Sequence, residues 1–207
     1  MVTIFEIRPV RSSFCIILDT GDQYWLREED LFAACIHEGQ IYKDIDFQQL
    51  IRACQFPRAL KHSVSLLARR PYSKKEIISR LIRLRYTAEV AELVVNKLEK
   101  ENILNDEDFC EEWTSFRLSQ HYGFEMIRRE LKLKGISDEI ITDVFNRRDT
   151  DEEFENALKL AAKTWKKISR GTDIRRNRQK VIASLVRKGY DWNTAKTACE
   201  ISEKKQK

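Results

Sequence analysis

Lysine and arginine are the residues of this 207-residue chain that most plainly offer chemistry: there are 38, against 33 acidic residues. A basic side chain beside a phosphate releases condensed counterions, so well-placed cations can hold a nucleic-acid backbone or an acidic protein face. Nine of them flank three related short segments: Arg69, Arg70, Lys74, Lys75, Arg128, Lys132, Lys134, Arg187 and Lys188. A second concentration comprises Lys163, Lys166, Lys167, Arg170, Arg175, Arg176, Arg178 and Lys180.

Other chemistries find little support. The chain has no phosphate-cradling Gly-x-x-x-x-Gly-Lys-Ser/Thr, no Gly-x-Ser-x-Gly and no His-Glu-x-x-His. His37, His62 and His121 are far apart in sequence. The acidic pairs Glu28-Glu29, Glu111-Glu112 and Glu152-Glu153 are adjacent, so on a helix they do not face each other. Near a helix start such charges stabilise the helix by about 0.3–1 kcal/mol. Cys15, Cys35, Cys54, Cys110 and Cys199 are odd in number and contain no Cys-x-x-Cys. They are expected to be buried reduced thiols of a cytoplasmic protein, with no zinc module and no disulfide framework. No enzyme, cofactor or metal is expected.

The elements that must carry the cations change character along the chain. Val2–Ile7, Phe14–Leu18 and Gln23–Leu26 are β-rich; Asp19–Asp22 supplies a hairpin loop between the last two. Pro9 is expected to end the first strand, Glu28–Asp30 to open a short helix over 31–37 stopped by Gly39, and Ile41-Tyr42 to form a further strand. Asp46 is a cap for the next helix. Thereafter the period is helical. The stripes Ile77, Leu81, Leu84; Val90, Val94, Leu98; Phe109, Trp113, Phe116; and Phe154, Leu158, Ala161, Trp165, Ile168 read as core.

Within the helical part a unit recurs. Leu81-Ile-Arg-Leu-Arg-Tyr86, Leu131-Lys-Leu-Lys-Gly-Ile136 and Leu185-Val-Arg-Lys-Gly-Tyr190 each have Leu, basic residues, and an apolar residue five positions on. Thr87, Ser137 and Asp191 follow as helix caps. Gly135 and Gly189 suit a helix-terminating position with positive φ, and Arg85 is the misfit there. Ser73-Lys-Lys-Glu76 is a capping box. The third copy carries an insertion around 170–177. The fold expected is mainly α, with tandem three-helix repeats forming an elongated curved body and a small β-rich N-terminal segment. The divisions are 1–45, 46–104 with a lead-in helix, 105–149 and 150–207.

Charge alternates with the same spacing. Residues 1–57 hold 5 basic and 9 acidic groups, 58–105 hold 11 and 5, 106–150 hold 7 and 11, and 151–207 hold 15 and 8. The longest apolar run, Phe14–Leu18, is far short of a membrane span. Glu6 and Arg8 interrupt the first apolar stretch, so no signal peptide is expected.

Leu66-Leu-Ala-Arg-Arg-Pro-Tyr-Ser-Lys-Lys-Glu-Ile77 with Leu81 resembles the opening signature of the RecX regulatory proteins. Leu104-Asn-Asp106 with Phe109-Cys110 is similar to their link into a second repeat. Gly123-Phe-Glu-Met-Ile127 with Glu130-Leu-Lys-Leu-Lys-Gly-Ile136 resembles the second-repeat signature, the most specific of the three. The resemblance spans residues 56–200. Arg70, Ser73 and Glu76 match the first motif; Gly123, Leu131, Lys134 and Gly135 the second; Lys188 and Gly189 keep the turn of the third. Tyr72 stands where many members carry a basic residue, and Arg85 where Gly is frequent.

The resemblance implies tandem three-helix repeats and a non-enzymatic role. That role is to bind the RecA filament on single-stranded DNA and inhibit recombinase and coprotease activity in DNA repair and the SOS response. The nine cations named first would then contact filament or DNA phosphates. The expected protein is a cytoplasmic monomer without a membrane partner; duplex DNA is a further candidate ligand. The competing reading is a helix-turn-helix DNA-binding protein. Against it, residues 88–100 and 137–144 are acidic or apolar rather than rich in the Arg, Asn and Gln that read base edges. A pure scaffold is the third reading.

Overall fold

The computed structural model describes residues 1–148, 150–168 and 173–205. Four strands and a short helix come first: β1 (Val2–Val10), β2 (Ser13–Leu18), β3 (Gln23–Leu26), α1 (Glu28–Ala33) and β4 (Ile41–Tyr42). They form one antiparallel sheet in the order β3-β2-β1-β4. Alternation puts Val2, Ile4, Ile16, Leu18 and Leu26 on the covered face. The cover is α2 (Asp44–Leu67), whose Phe47 and Ile51 are buried there.

The second half of α2 begins a different core. With α3 (Lys74–Arg83) and α4 (Ala88–Lys100) it buries Ala59, Leu66, Ile77, Leu81, Val90, Val94 and Leu98. The trio recurs as α5 (Asp106–Ser119), α6 (Phe124–Leu133) and α7 (Asp138–Asn146), and as α8 (Thr150–Lys167), α9 (Ile174–Arg187) and α10 (Trp192–Lys204). Ile127 and Leu131 of α6, and Val181 and Leu185 of α9, take the places of Ile77 and Leu81. Packing divides the chain into two compact units, Met1–Asn105 and Asp106–Lys207.

The recurrent turn has one geometry in all three trios. Residues Tyr86, Ile136 and Tyr190 donate their N–H groups to the carbonyls of Leu81, Leu131 and Leu185, at 3.1, 3.1 and 3.3 Å. Arg85, Gly135 and Gly189 donate to Ile82, Lys132 and Val186 at 2.9, 3.0 and 3.0 Å. This is the Schellman closure, which needs a left-handed residue. Their φ values are 71°, 88° and 91°. Arg85 therefore adopts the glycine conformation rather than changing the turn. Thr87, Ser137 and Asp191 then cap α4, α7 and α10 with their side chains.

Several local expectations are corrected. Strand β1 runs through Pro9 to Val10, because β4 pairs only with Val2 and Thr3, so no partner strand needs the missing N–H. Helix α1 ends at Ala33: Cys35 takes the left-handed position (φ 49°), and Ile36 N–H closes on Leu31 O, burying Ile36. Gly39 bends the chain later. Helix α2 starts at Asp44, so Asp46 lies inside its first turn instead of capping it. Leu84 and Phe116 are 46% and 52% exposed and leave the core stripes. Cys35 is exposed and Cys54 half-buried; the other three thiols are buried. The third-copy insertion is partly legible: α9 has 14 residues where α3 and α6 have 10, and 169–172 lie outside the described residues.

Candidate functional site

Of the nine expected contact residues, Arg69 and Arg70 lie between α2 and α3, Lys74 and Lys75 open α3, Arg128 and Lys132 lie on α6, and Lys134, Arg187 and Lys188 lie at the closed turns that end α6 and α9. Their side chains divide into two groups. Arg69, Lys75 and Arg187 are exposed and have no ion pair or ring contact among the described residues. The other six are engaged. Arg70 lies 3.6 Å over the Tyr72 ring and 3.5 Å from Glu76. Lys74 pairs with Glu99 at 2.5 Å. Arg128 and Lys132 share Asp138, at 3.6 and 2.8 Å, tying α6 to α7 across the turn. Lys134 stands 4.1 Å over Trp113, and Lys188 3.4 Å over Tyr122. Solvated cation–π contacts are worth about 0.5–1 kcal/mol, so these two lysines are partly committed to packing.

Lys188 belongs to a joint between the second and third trios. The turn of α9 lies against the start of α6. Gly123 N–H donates to Lys188 O at 2.9 Å, and Glu125 N–H to Gly189 O at 3.2 Å. The Glu153 carboxylate on α8 accepts from Phe124 N–H at 2.7 Å. Three first-turn N–H groups of α6 thus find acceptors on the next trio, and α6 needs no side-chain cap. A Cβ on Gly123 would stand 2.4 Å from Gly189 O; one on Gly189 would stand 2.4 Å from Met126 N. Both glycines are required by this approach. Burial pushes the Glu153 carboxyl up, outweighing the Phe124 hydrogen bond.

Beside the joint, α5 and α6 assemble a polar-aromatic group. Glu130 accepts from Trp113 Nε1 at 3.0 Å and pairs with Arg117. Arg117 also lies 3.6 Å from the Tyr122 centroid, so that ring is held between Arg117 and Lys188. Sequence reasoning did not name Arg117, named Glu130 only within the second-repeat signature, and read Glu153 only as a charge near a helix start. The signal available was a 3.6-period polar position, which surface helices show everywhere.

The second basic concentration is carried by α8 and α9. Residues Lys163, Lys166, Lys167, Arg175, Arg176 and Lys180 are exposed and make no ion pair among the described residues. Arg178 instead pairs with the buried Glu203 at 2.6 Å, and Arg170 lies outside the described residues. Arg175 and Arg176 occupy the extra turn at the start of α9. Asn177, Val181 and Leu185 bury the opposite face.

No helix is long and apolar enough to cross a membrane, and no group of three or more metal-ligating side chains comes together among the described residues. The arrangement offers exposed cations on the helices and at the turns between them.

Comparison with known proteins gives one answer along the chain. Residues 59–98, 105–144 and 151–199 match the family descriptions RecX first, second and third three-helix domain. These ranges fall on the three helix trios. Regulatory protein RecX of Listeria monocytogenes serotype 4b (strain F2365) is 28% identical over 189 residues, 91% of this chain and 70% of the relative. That of Bacillus velezensis is 27% identical over 191 residues, 92% and 72%. That of Finegoldia magna is 24% identical over 196 residues, 92% and 94%. A crystal structure of regulatory protein RecX superposes with a TM-score of 0.66 at 22% identity, over 97% of this chain and all of that one. The crystal structure of RecX from Lactobacillus salivarius gives 0.66 at 22%, over 73% and 98%.

Proposed function

The chain belongs to the RecX family of regulatory proteins, and from that premise we propose that it regulates the RecA recombinase. In this reading it binds RecA and the RecA filament on single-stranded DNA. It inhibits recombinase and coprotease activity during DNA repair and the SOS response, working as a cytoplasmic monomer. The observation that carries the reading is the match of three consecutive RecX domains, in order, to three trios closed by one turn. A protein of repeated, rigidly placed cations suits a partner that is itself repetitive. Side chains on fixed helix ends lose less freedom on binding than those of a loose tail.

Exposed Arg69, Lys75 and Arg187 are the cations best placed for filament or phosphate contacts, joined by Arg175 and Arg176 on α9. Lys134 and Lys188 are poorer test positions, because reversing them also breaks a ring contact. Binding to a preformed RecA filament on labelled single-stranded DNA tests the reading. Lys75→Glu and Arg187→Glu are expected to weaken capture and lower the slope of log affinity against log salt by about one each. Filament binding with unchanged salt dependence removes both residues from the contact surface; no filament binding by the wild-type chain overturns the reading.

A helix-turn-helix reader of duplex DNA is the weaker alternative. The exposed faces of α4 and α7 are acidic, with Glu89 and Glu92 on one and Asp138, Glu139 and Asp143 on the other.

A further inference from the structure

A groove in the first unit has no part in the reading above. It runs between β3, the start of α1, the middle of α2 and the turn after α3. Its two connected hollows measure about 600 and 220 Å³ and share Arg27, Arg58, His62 and Tyr86 among their walls. Lys61 lines the larger hollow; Arg85 and Trp25 line the smaller. The combined size lies in the range of small-molecule sites.

Charge in the groove is unevenly satisfied. Arg58 is occupied: it pairs with Asp30 at 3.1 Å and with Glu29 at 2.5 Å, so those acids are spent on it. Arg27 and Lys61 are exposed and have no ion pair among the described residues. Arg85 has none either; its guanidinium lies 4.9 Å over the Trp25 ring. Arg27 thus lines both hollows, Lys61 the larger and Arg85 the smaller, and the groove's carboxylates, Glu29 and Asp30, are paired with Arg58 instead. The walls are fixed from beneath. The buried Gln55 donates to Trp25 O at 2.9 Å and accepts from Thr87 N–H at 3.0 Å, clamping β3 to the start of α4.

Arg85 adds an independent argument. Its turn needs a left-handed residue, and the other two copies use Gly135 and Gly189. Arginine at φ 71° is strained where glycine is not. Such strain is a pointer to function where the side chain enters a site, and the Arg85 side chain lines the groove.

We propose that this groove is a binding site for a phosphate-bearing ligand, a nucleotide or a phosphodiester of single-stranded nucleic acid, held by Arg27, Lys61 and Arg85. Arginine forks match phosphate oxygens, and the half-buried Tyr86 ring offers a base a surface to stack on. The site does not rest on the recombinase reading, and its test contains no recombinase.

The test is fluorescence anisotropy of a short labelled oligothymidylate with the full chain. Thymidine monophosphate, pyrophosphate and polyglutamate serve as competitors, and each variant is also melted. Arg27→Glu and Lys61→Glu are each expected to weaken binding roughly tenfold, the scale of a charge-assisted hydrogen bond. Arg85→Gly is expected to weaken binding several-fold while the melting temperature holds or rises, since glycine suits the turn. Competition by the mononucleotide identifies free nucleotide as a source; competition by pyrophosphate without it identifies the phosphate group alone as the determinant. Oligothymidylate binding that neither displaces, yet is lost in the variants, identifies the strand. Three variants that bind like the wild type overturn the proposal. So does displacement by polyglutamate alone, which would make the groove a dock for an acidic peptide. A lower melting temperature for Arg85→Gly with unchanged binding would reduce Arg85 to a prop for Trp25.

Discussion

Gly189 and Gly123 show how one atom constrains the joint between the second and third trios. Alanine at Gly189 would be strained at φ 91° and would press its methyl on Met126. Left-handed strain and overpacking together predict a loss of about 3 kcal/mol for Gly189→Ala. Gly39 supplies the control: it has φ 80° with nothing within 4 Å of an added Cβ. Gly39→Ala should lose only the strain, about 1–2 kcal/mol. Denaturant unfolding compares the two, and equal losses would contradict the close approach. The turns themselves are legible in the sequence because their demands are local: a leucine, a left-handed residue four positions on, an apolar residue, a cap. The docking of Gly189 on Gly123 is not, since nothing near either residue announces the other. The same holds for Lys188, whose ring partner Tyr122 comes from another trio.

At the scale of elements, α3 and α6 solve one problem in two ways. Helix α3 satisfies its first turn itself through the Ser73–Glu76 capping box, with Glu76 N–H donating to Ser73 Oγ at 3.2 Å. Ser73→Ala should destabilise the fold by about 1 kcal/mol, read from the denaturation midpoint. Helix α6 borrows acceptors from the third trio, including Glu153. That carboxyl is raised by burial, with Asp191 and Glu125 adding repulsion. A folded value above the unfolded one means its stabilising contribution is present at low pH. The contribution is lost as pH rises through the raised value, so the ionised form is a net burden at neutrality. Glu153→Gln, which keeps an acceptor for Phe124 N–H, should therefore melt higher than the wild type at neutral pH. That advantage should shrink toward about pH 4, where ordinary carboxylates protonate. An advantage independent of pH would contradict this assignment. Most elements were readable from period and caps. The misses have tertiary causes: Pro9 continues β1 because its neighbour strand is short, and α1 stops early to bury Ile36.

For the whole molecule, the repeat was readable because three copies agree on a turn whose geometry the backbone enforces. The extra turn of α9 was readable as the longer spacing before the third copy. What a sequence pattern cannot supply is which cations stay available. Of nine expected contact residues, six are engaged with rings or carboxylates, and ion pairing depends on neighbours brought in by folding. The groove of the first unit was invisible for the same reason. Arg27, Lys61 and Arg85 are widely spaced in the chain and come to line one groove only when β3, α2 and the turn come together.

The central claim is that the protein regulates a recombinase filament. Its most direct test is the single-stranded-DNA-dependent ATPase rate of the cognate RecA with this protein titrated in below stoichiometry. The account predicts a fall in rate at substoichiometric ratios, as expected of a regulator acting at filament ends or along the filament. An unchanged rate up to and beyond equimolar protein, with the filament intact, would contradict it.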